Sequence, residues 1–312
     1  GDITLAEDHF RWRDDTAGLN TNSGYLASQD ASYTLAKTTT VRLRIEVANT
    51  GSAPAIKYPF RLEYASKSGT CGASSFVTVP VTPTTEHFEL VTSSQYSDQD
   101  ATTSSLLTAT GTYSNGLAVE DPGSNTNGIT ISNGYYTELE YAIQATTSAT
   151  DGGNYCFRVT NLGSTANFSY STYAEVTIAT AGITLSGTVY QSSSEGSAFN
   201  CSGANLTLHV ATNGGTNKNG TCTAAGGTFS ITGVTDPGGA NVPVVLFIDS
   251  SDGSHKATTV TLSASAGTDI TGLSLILDRV VLTQESATAM TNSYLSTADN
   301  GDAGIRYSVS GG

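Results

Sequence analysis

Four cysteines are the residues of this chain best suited to chemistry, and the chemistry they suggest is the disulfide. Cys71 and Cys156 fall within the first 180 residues, and Cys201 and Cys222 fall in the stretch that follows. No C-x-x-C spacing occurs and no His adjoins a Cys, so a zinc cluster and a redox motif both lack their local signature. Two bonds are expected, Cys71–Cys156 and Cys201–Cys222. They would close loops of about 85 and about 20 residues, worth roughly 4–5 and roughly 3 kcal/mol if the effect is constraint of the unfolded chain. Persistent disulfides need an oxidising compartment, so an extracellular or cell-surface location is expected.

The other reactive side chains form no catalytic constellation. His9, His87, His209 and His255 are scattered, without H-x-H or H-x-x-x-H spacing, and His209 lies in an alternating run that should turn it to solvent. The abundant serines include no G-x-S-x-G elbow, so a hydrolase triad has no anchor. No enzyme is expected and no catalytic residue is assigned. Asp98, Asp100, Glu120 and Asp121 sit in polar, turn-like segments. Carboxylates suit calcium, a hard cation that takes oxygen ligands, but the dense D-x-D-x-D run is absent. The expectation is solvated carboxylates with no metal or other cofactor, calcium being the one ion those loops would admit. Asn167, Asn200, Asn205 and Asn219 head N-x-S/T triplets, acceptors for sugar in a eukaryotic secretory route. Tyr135–Tyr136 and Tyr170 with Tyr173 have the composition of a carbohydrate platform. Alternation along a strand, with one ring inside and one outside, explains them equally well.

Charge excludes some partners. Thirteen Lys and Arg against 27 Asp and Glu leave a formal charge of −14, which repels nucleic acid and anionic membranes. No run approaches the roughly 18 apolar residues of a membrane helix, so no membrane insertion is expected. No basic-then-apolar leader is visible, and the chain opens on Gly1 and closes on Ser310-Gly311-Gly312. It reads as a processed product or a piece of something longer.

The elements that carry these residues are strands. In Val41-Arg42-Leu43-Arg44-Ile45-Glu46-Val47 apolar and charged residues alternate. A period of two puts the aliphatics on one face and the charges on the other, solvated one. Phe60 to Tyr64, Leu139 to Ile143, Tyr155 to Val159 and Ala174 to Ile178 repeat the pattern. Asn49-Thr50-Gly51, Asn115-Gly116, Asp121-Pro122-Gly123 and Asn133-Gly134 supply turns between them. The fold class expected is all-β, tandem antiparallel β-sandwiches with almost no helix; Ser286 to Leu295 is the best helical candidate. Three segments follow: a large sandwich over 1–180, a small one over 181–277, and a β tail over 278–312 that begins a third unit, closes the second or serves as an assembly strand.

Some phrases resemble known families. Asp151 to Asn161, a turn leading into Tyr155-Cys156-Phe157-Arg158-Val159, is similar to the penultimate strand of immunoglobulin-like and fibronectin type III domains. Leu185 to Tyr190 and Gly227 to Val234 resemble transthyretin-like and carboxypeptidase-regulatory-like sandwiches. Collagen-adhesin relatives of that second group join a Lys of the first strand to an Asn; this first strand has no Lys, so no such bond is expected. His9 to Asp15, Val41 to Gly51, Tyr155 to Asn161, Asp269 to Leu275 and Asp278 to Leu282 look like parts of very long, repetitive bacterial surface proteins. That resemblance implies location and a structural role. It carries over no catalytic residue.

The expected function is therefore a non-enzymatic extracellular structural protein, a subunit of a surface fibre, filament, stalk or coat. It would self-associate or join neighbouring modules of the same protein. Strand addition by Gly1 to Leu5 or Ile305 to Val309 is one route. The alternative is an adhesin or glycan-binding module of a large secreted protein, using exposed Tyr rings and loop carboxylates.

Overall fold

A computed structural model describes residues 1–191, 195–204, 206–212, 218–248, 255–283 and 288–298. The chain divides into two units, Gly1–Ala179 and Thr180–Gly312. Each is a stack of β-sheets around its own core.

Unit 1 contains β1 (Leu5–Glu7), β2 (Phe10–Asp14), β3 (Tyr33–Leu35), β4 (Val41–Asn49), β5 (Ala55–Tyr58), β6 (Arg61–Ser66), β7 (Val77–Thr78) and β8 (Phe88–Leu90). It continues with β9 (Ala101–Thr102), β10 (Thr112–Tyr113), β11 (Gly116–Val119), β12 (Ile129–Ile131), β13 (Tyr135–Ala145), β14 (Asn154–Thr160), β15 (Phe168–Tyr170) and β16 (Ala174–Ile178). One sheet runs β15-β1-β4-β13-β11-β9, with β2 also on β4 and β8 and β10 also on β13. The facing sheet runs β3-β16-β14-β6-β7, and β5 pairs β12 separately. The spine is the β4–β13 antiparallel ladder, in register from Tyr136↔Ala48 to Ile143↔Val41.

Alternation sets the inner face. Val41, Leu43, Ile45 and Val47 of β4 and Leu139, Tyr141 and Ile143 of β13 are buried in one cluster with Leu62, Tyr155, Phe157, Val159 and Val176 of the facing sheet. Trp12 closes this core: its ring stands edge-on to Phe157 at 5.6 Å, and its indole N–H donates to the Glu175 carbonyl at 2.9 Å. A buried indole needs that acceptor.

Two features depart from the sequence reading. Several pairs are parallel rather than antiparallel: β1–β15, β3–β16, β10–β13 and β11–β13. These are short strands reached by longer connections, and such a strand can lay its ladder in either sense. The second departure is larger. Arg42, Arg44 and Glu46, placed in solvent by the alternation, are at most 1% exposed, as are Glu138 and Glu140. Loops cover the outer face of the sheet, and Leu19, Val91, Tyr96, Ala118 and Ala142 form a small second core there.

Unit 2 contains β17 (Ile183–Tyr190), β18 (Leu206–Thr212), β19 (Lys218–Cys222), β20 (Thr228–Val234), β21 (Pro243–Ile248), β22 (Ala257–Leu262), β23 (Ile270–Ile276), β24 (Val280–Leu282) and one short helix, α1 (Asn292–Ala298). A three-stranded sheet, β20-β17-β23, faces a five-stranded one, β19-β18-β21-β22-β24. Leu185, Val189, Ile231 and Leu275 meet Leu206, Leu208, Leu246 and Ile248 between them. Gly187 is required in β17, because a Cβ there would overlap the Leu273 carbonyl of the parallel neighbour β23. Ala298 packs on Val245, Phe247 and Val260, on the other face of β21 and β22. α1 thus begins within the expected helical stretch and runs past it, while residues 284–287 and 299–312 lie outside the described set. The first strand of the expected tail, β24, joins the sheet of unit 2 by pairing parallel to β22.

Candidate functional site

Each cysteine is half of a disulfide, and no free thiol is present. Cys71–Cys156 has an S–S distance of 1.98 Å and Cys201–Cys222 one of 2.06 Å. Cys156 lies on β14 and Cys71 in a 3-10 turn, Cys71–Ala73. Both are buried, yet neither belongs to the inter-sheet cluster, so the bond holds a turn against the outer side of β14. Cys201 and Cys222 do belong to the core of unit 2. Cys222 sits opposite Leu206 on β19, with its side chain turned inward, so this short-range bond is also part of the packing between the sheets.

The remaining sequence candidates are separated. Asn167 is exposed and donates to the Tyr58 hydroxyl at 2.8 Å. Asn200 is exposed and accepts from the Ser202 amide at 2.9 Å. Asn219 is exposed and meets His209 at 2.9 Å. Asn205 lies outside the described residues. His209 is half-buried and stacks on Phe247, since a neighbouring strand presents a ring beside it. His9 pairs with Asp30 at 2.7 Å, and His87 bonds the Tyr155 hydroxyl at 2.8 Å. Among the described residues no three His, Cys, Asp or Glu are grouped to hold a metal ion. Three of the loop carboxylates cap backbone instead: Asp98 takes the Glu120 amide, Asp100 the Ser97 amide and Glu120 the Ser93 amide.

The tyrosines divide. Tyr135 is 39% exposed while Tyr136 is buried and bonds Ser105. Tyr170 and Tyr173 are consecutive in a stack that runs Phe168, Tyr170, Tyr173, Phe76, with centroids 5.7, 5.3 and 5.8 Å apart. The Arg158 guanidinium lies 4.1 Å from the Phe76 ring centre. A cleft of ≈ 550 Å³ beside Cys71 is lined by Tyr173, Lys67, Glu175, Asp30 and Thr70, and Lys67 and Glu175 pair across it at 2.6 Å.

The most concentrated electrostatics lie where the alternation predicted water. Arg44 and Glu140 are cross-strand partners in the β4–β13 ladder. The Glu140 carboxylate receives Arg13 at 2.8 Å and Arg44 at 3.0 Å, and Arg42 approaches it at 3.0 Å without hydrogen-bond alignment. Arg44 also donates to Glu138 at 2.7 Å. The spare donors reach loop backbone. Arg13 donates to the carbonyls of Gly18, Leu19 and Thr21, Arg42 to those of Asp14 and Ala17, and Arg44 to that of Ser104. Glu138 accepts the amides of Leu106 and Leu107 and the Ser105 hydroxyl. Burial alone would lower the Arg44 pKa, but the charges of Glu140 and Glu138 outweigh it and the value is raised. Such charges are tolerable in the interior because all but two of their buried nitrogens and oxygens, Arg13 Nε and Arg42 Nη1, have hydrogen-bond partners. The carboxylates hold loops and leave no reactive geometry open. A signal existed in the sequence: Arg-x-Arg in one strand and Glu-x-Glu in another have opposite sign and equal period.

Two buried carboxyls are less well served. Glu7 has its Oε1 unpartnered, and burial pushes its pKa well up despite the Val159 amide on Oε2. Glu46 has its Oε2 unpartnered beside a small cleft shared with Asp8 and His9. Burial first, then the Asp8 charge, raises its pKa from 4.5 to about 7. Across that window the folded chain keeps a proton that the unfolded chain has released, so this group's contribution to stability falls as pH rises. Glu46→Gln should remove about 2–3 kcal/mol of that decline, seen as a flatter melting temperature between pH 5 and 7.5. A variant tracking the parent at every pH would show that Glu46 titrates normally.

No known protein family matches the chain, and no curated protein matches it. Among solved structures it is similar to the major pilin subunit of Bacillus cereus, with 10% identity, 88% of this chain and 70% of that one covered, and a TM-score of 0.26. It is similar to a backbone pilin of Streptococcus pyogenes at 8% identity, over 79% of this chain and 48% of that one, with a TM-score of 0.23. A bacterial adhesin from Mobiluncus mulieris containing intramolecular disulfide, isopeptide and ester bond cross-links is similar at 9% identity, over 89% of this chain and 98% of that one, with a TM-score of 0.23. At these TM-scores the likenesses carry no argument about function.

Proposed function

We propose that this chain is a non-enzymatic structural protein of the cell exterior, a subunit of a surface fibre, filament, stalk or coat that associates with further copies or with neighbouring modules. The observation that carries the reading is how its reactive groups are used. Every cysteine is in a disulfide, and the densest set of charged side chains is spent on fastening loops to a sheet. Both devices resist opening of a β-sandwich, and the disulfides require an oxidising compartment. No helix among the described residues is long and apolar enough to cross a membrane, and the −14 charge disfavours nucleic acid.

A glycan-binding adhesin is the second reading, favoured by the polar cleft beside Cys71. It would work through hydroxyl and charged groups there, because the Tyr173 ring is packed between Phe76 and Tyr170. Electron microscopy and sedimentation of the oxidised protein over rising concentration test the first reading. Filaments or growing oligomers are expected, and monomers at every concentration would overturn it.

A further inference from the structure

We infer that the free edge of β24 accepts an extended strand from a second copy of this chain, with residues 305–309 as that strand; this rests on the assembling reading above. β24 is the last strand of its sheet and pairs only with β22, in parallel. Its other edge faces no strand among the described residues, so its backbone groups there are open to a ladder. Val280 is 48% and Leu282 51% exposed, and they are the large aliphatic side chains exposed among the described residues of unit 2. The other edge strands of the unit expose no large aliphatic side chain: β19 presents Lys218 and Asn219, β20 turns Thr228, Ser230 and Thr232 outward, and β23 exposes Thr271 and Gly272. Beside β24 lies a cleft of ≈ 460 Å³ with an aliphatic floor of Ile248, Ala257 and Val280 and a rim carrying Lys256 and Arg279 against one acid, Asp278.

That combination describes its occupant: an extended segment with alternating apolar side chains and acidic neighbours. The N-terminal run is already committed, because Leu5 and Ala6 pair with Asn49 and Ala48 inside unit 1. Of the residues outside the described set, only 305–309, Ile-Arg-Tyr-Ser-Val, alternate apolar and polar, and Asp299 and Asp302 precede them. Two cations outnumber one acid on this rim, and Asp299 and Asp302 outnumber Arg306 in the incoming segment, so in a chain of charge −14 this edge is where that segment of another copy meets net attraction instead of repulsion. Backbone pairing would supply affinity, and the alternate side chains Ile305, Tyr307 and Val309 would supply register.

The test uses full-length chains in sedimentation velocity. The parent should grow with concentration beyond dimers. Leu282→Lys blocks the acceptor, since a charge on an edge strand opposes pairing, and Tyr307→Asp blocks the donor. Each variant alone should lose self-association by about tenfold or more, and Val280→Lys should repeat the acceptor result. A mixture of Leu282→Lys with Tyr307→Asp should recover association but stop at dimers, because only one complementary pair of ends remains. Undiminished growth by both single variants overturns this assignment and leaves the fibre reading standing. Growth of the mixture beyond dimers overturns the head-to-tail pairing. A parent that stays monomeric, whether or not its own residues 305–309 fold back on β24, overturns both.

Discussion

Glu140→Gln should cost unit 1 about 3–5 kcal/mol, the penalty for breaking a buried ion pair by removing one partner. Glu140 is fully buried and is the carboxylate on which Arg13, Arg42 and Arg44 converge. Without its charge, three buried guanidiniums keep Glu138 and the more peripheral Asp15 as acidic partners. The loss should appear as a lower denaturant midpoint for unit 1. It should be accompanied by faster proteolysis within residues 14–23, whose carbonyls are held by Arg13 and Arg42. Glu63→Gln is the control. Glu63 pairs with Arg61 and Arg158, both partly exposed, so water replaces the lost partner and the cost should be about 1 kcal/mol. Equal losses in the two variants would contradict the view that the sealed cluster fastens the loops. The same physics makes removal of the whole set a different experiment, because apolar replacement of a complete buried ionic group is often neutral.

Replacing Cys71 and Cys156 together by Ala should lower the stability of unit 1 by about 4–5 kcal/mol, because the bond closes a loop 85 residues apart in sequence. The matching double replacement at Cys201 and Cys222, 21 residues apart, should cost unit 2 about 3 kcal/mol from chain entropy. Those two side chains also lie in the core of unit 2, so lost packing adds to the second figure. Calorimetry should show each double variant lowering one transition and leaving the other in place. A single transition shifted equally by both would mean that the units do not unfold separately.

Much of the architecture was legible as pattern. The aliphatics of Val41 to Val47, Leu139 to Ile143 and Tyr155 to Val159 face the interior as their period requires. The near absence of helix follows from the lack of a 3.6-residue apolar period. The failure at Arg42, Arg44, Glu138 and Glu140 has a definite cause. Alternation says which residues share a face; it does not say whether water reaches that face. Here the cover comes from segments distant in sequence: Ser104 lies 60 residues from the Arg44 it bonds, and Glu140 lies 127 from Arg13. The tyrosines were ambiguous for a related reason. Tyr135 and Tyr136 had to fall on opposite faces, but the stacking of Tyr170 on Tyr173 depends on a turn between two short strands.

By itself, then, the sequence determined the strands, their inward faces and the all-β class, because period-two burial is a local property of the backbone. It also held the four cysteines and the opposite-signed charge runs that the fold would use. The tertiary structure decided what those charges do. The β4–β13 register set Arg44 against Glu140, and the loops over that face excluded water. Residues that read as a solvated surface became buried ionic pins, since the worth of a charge depends on what surrounds it and that is settled only when distant segments meet.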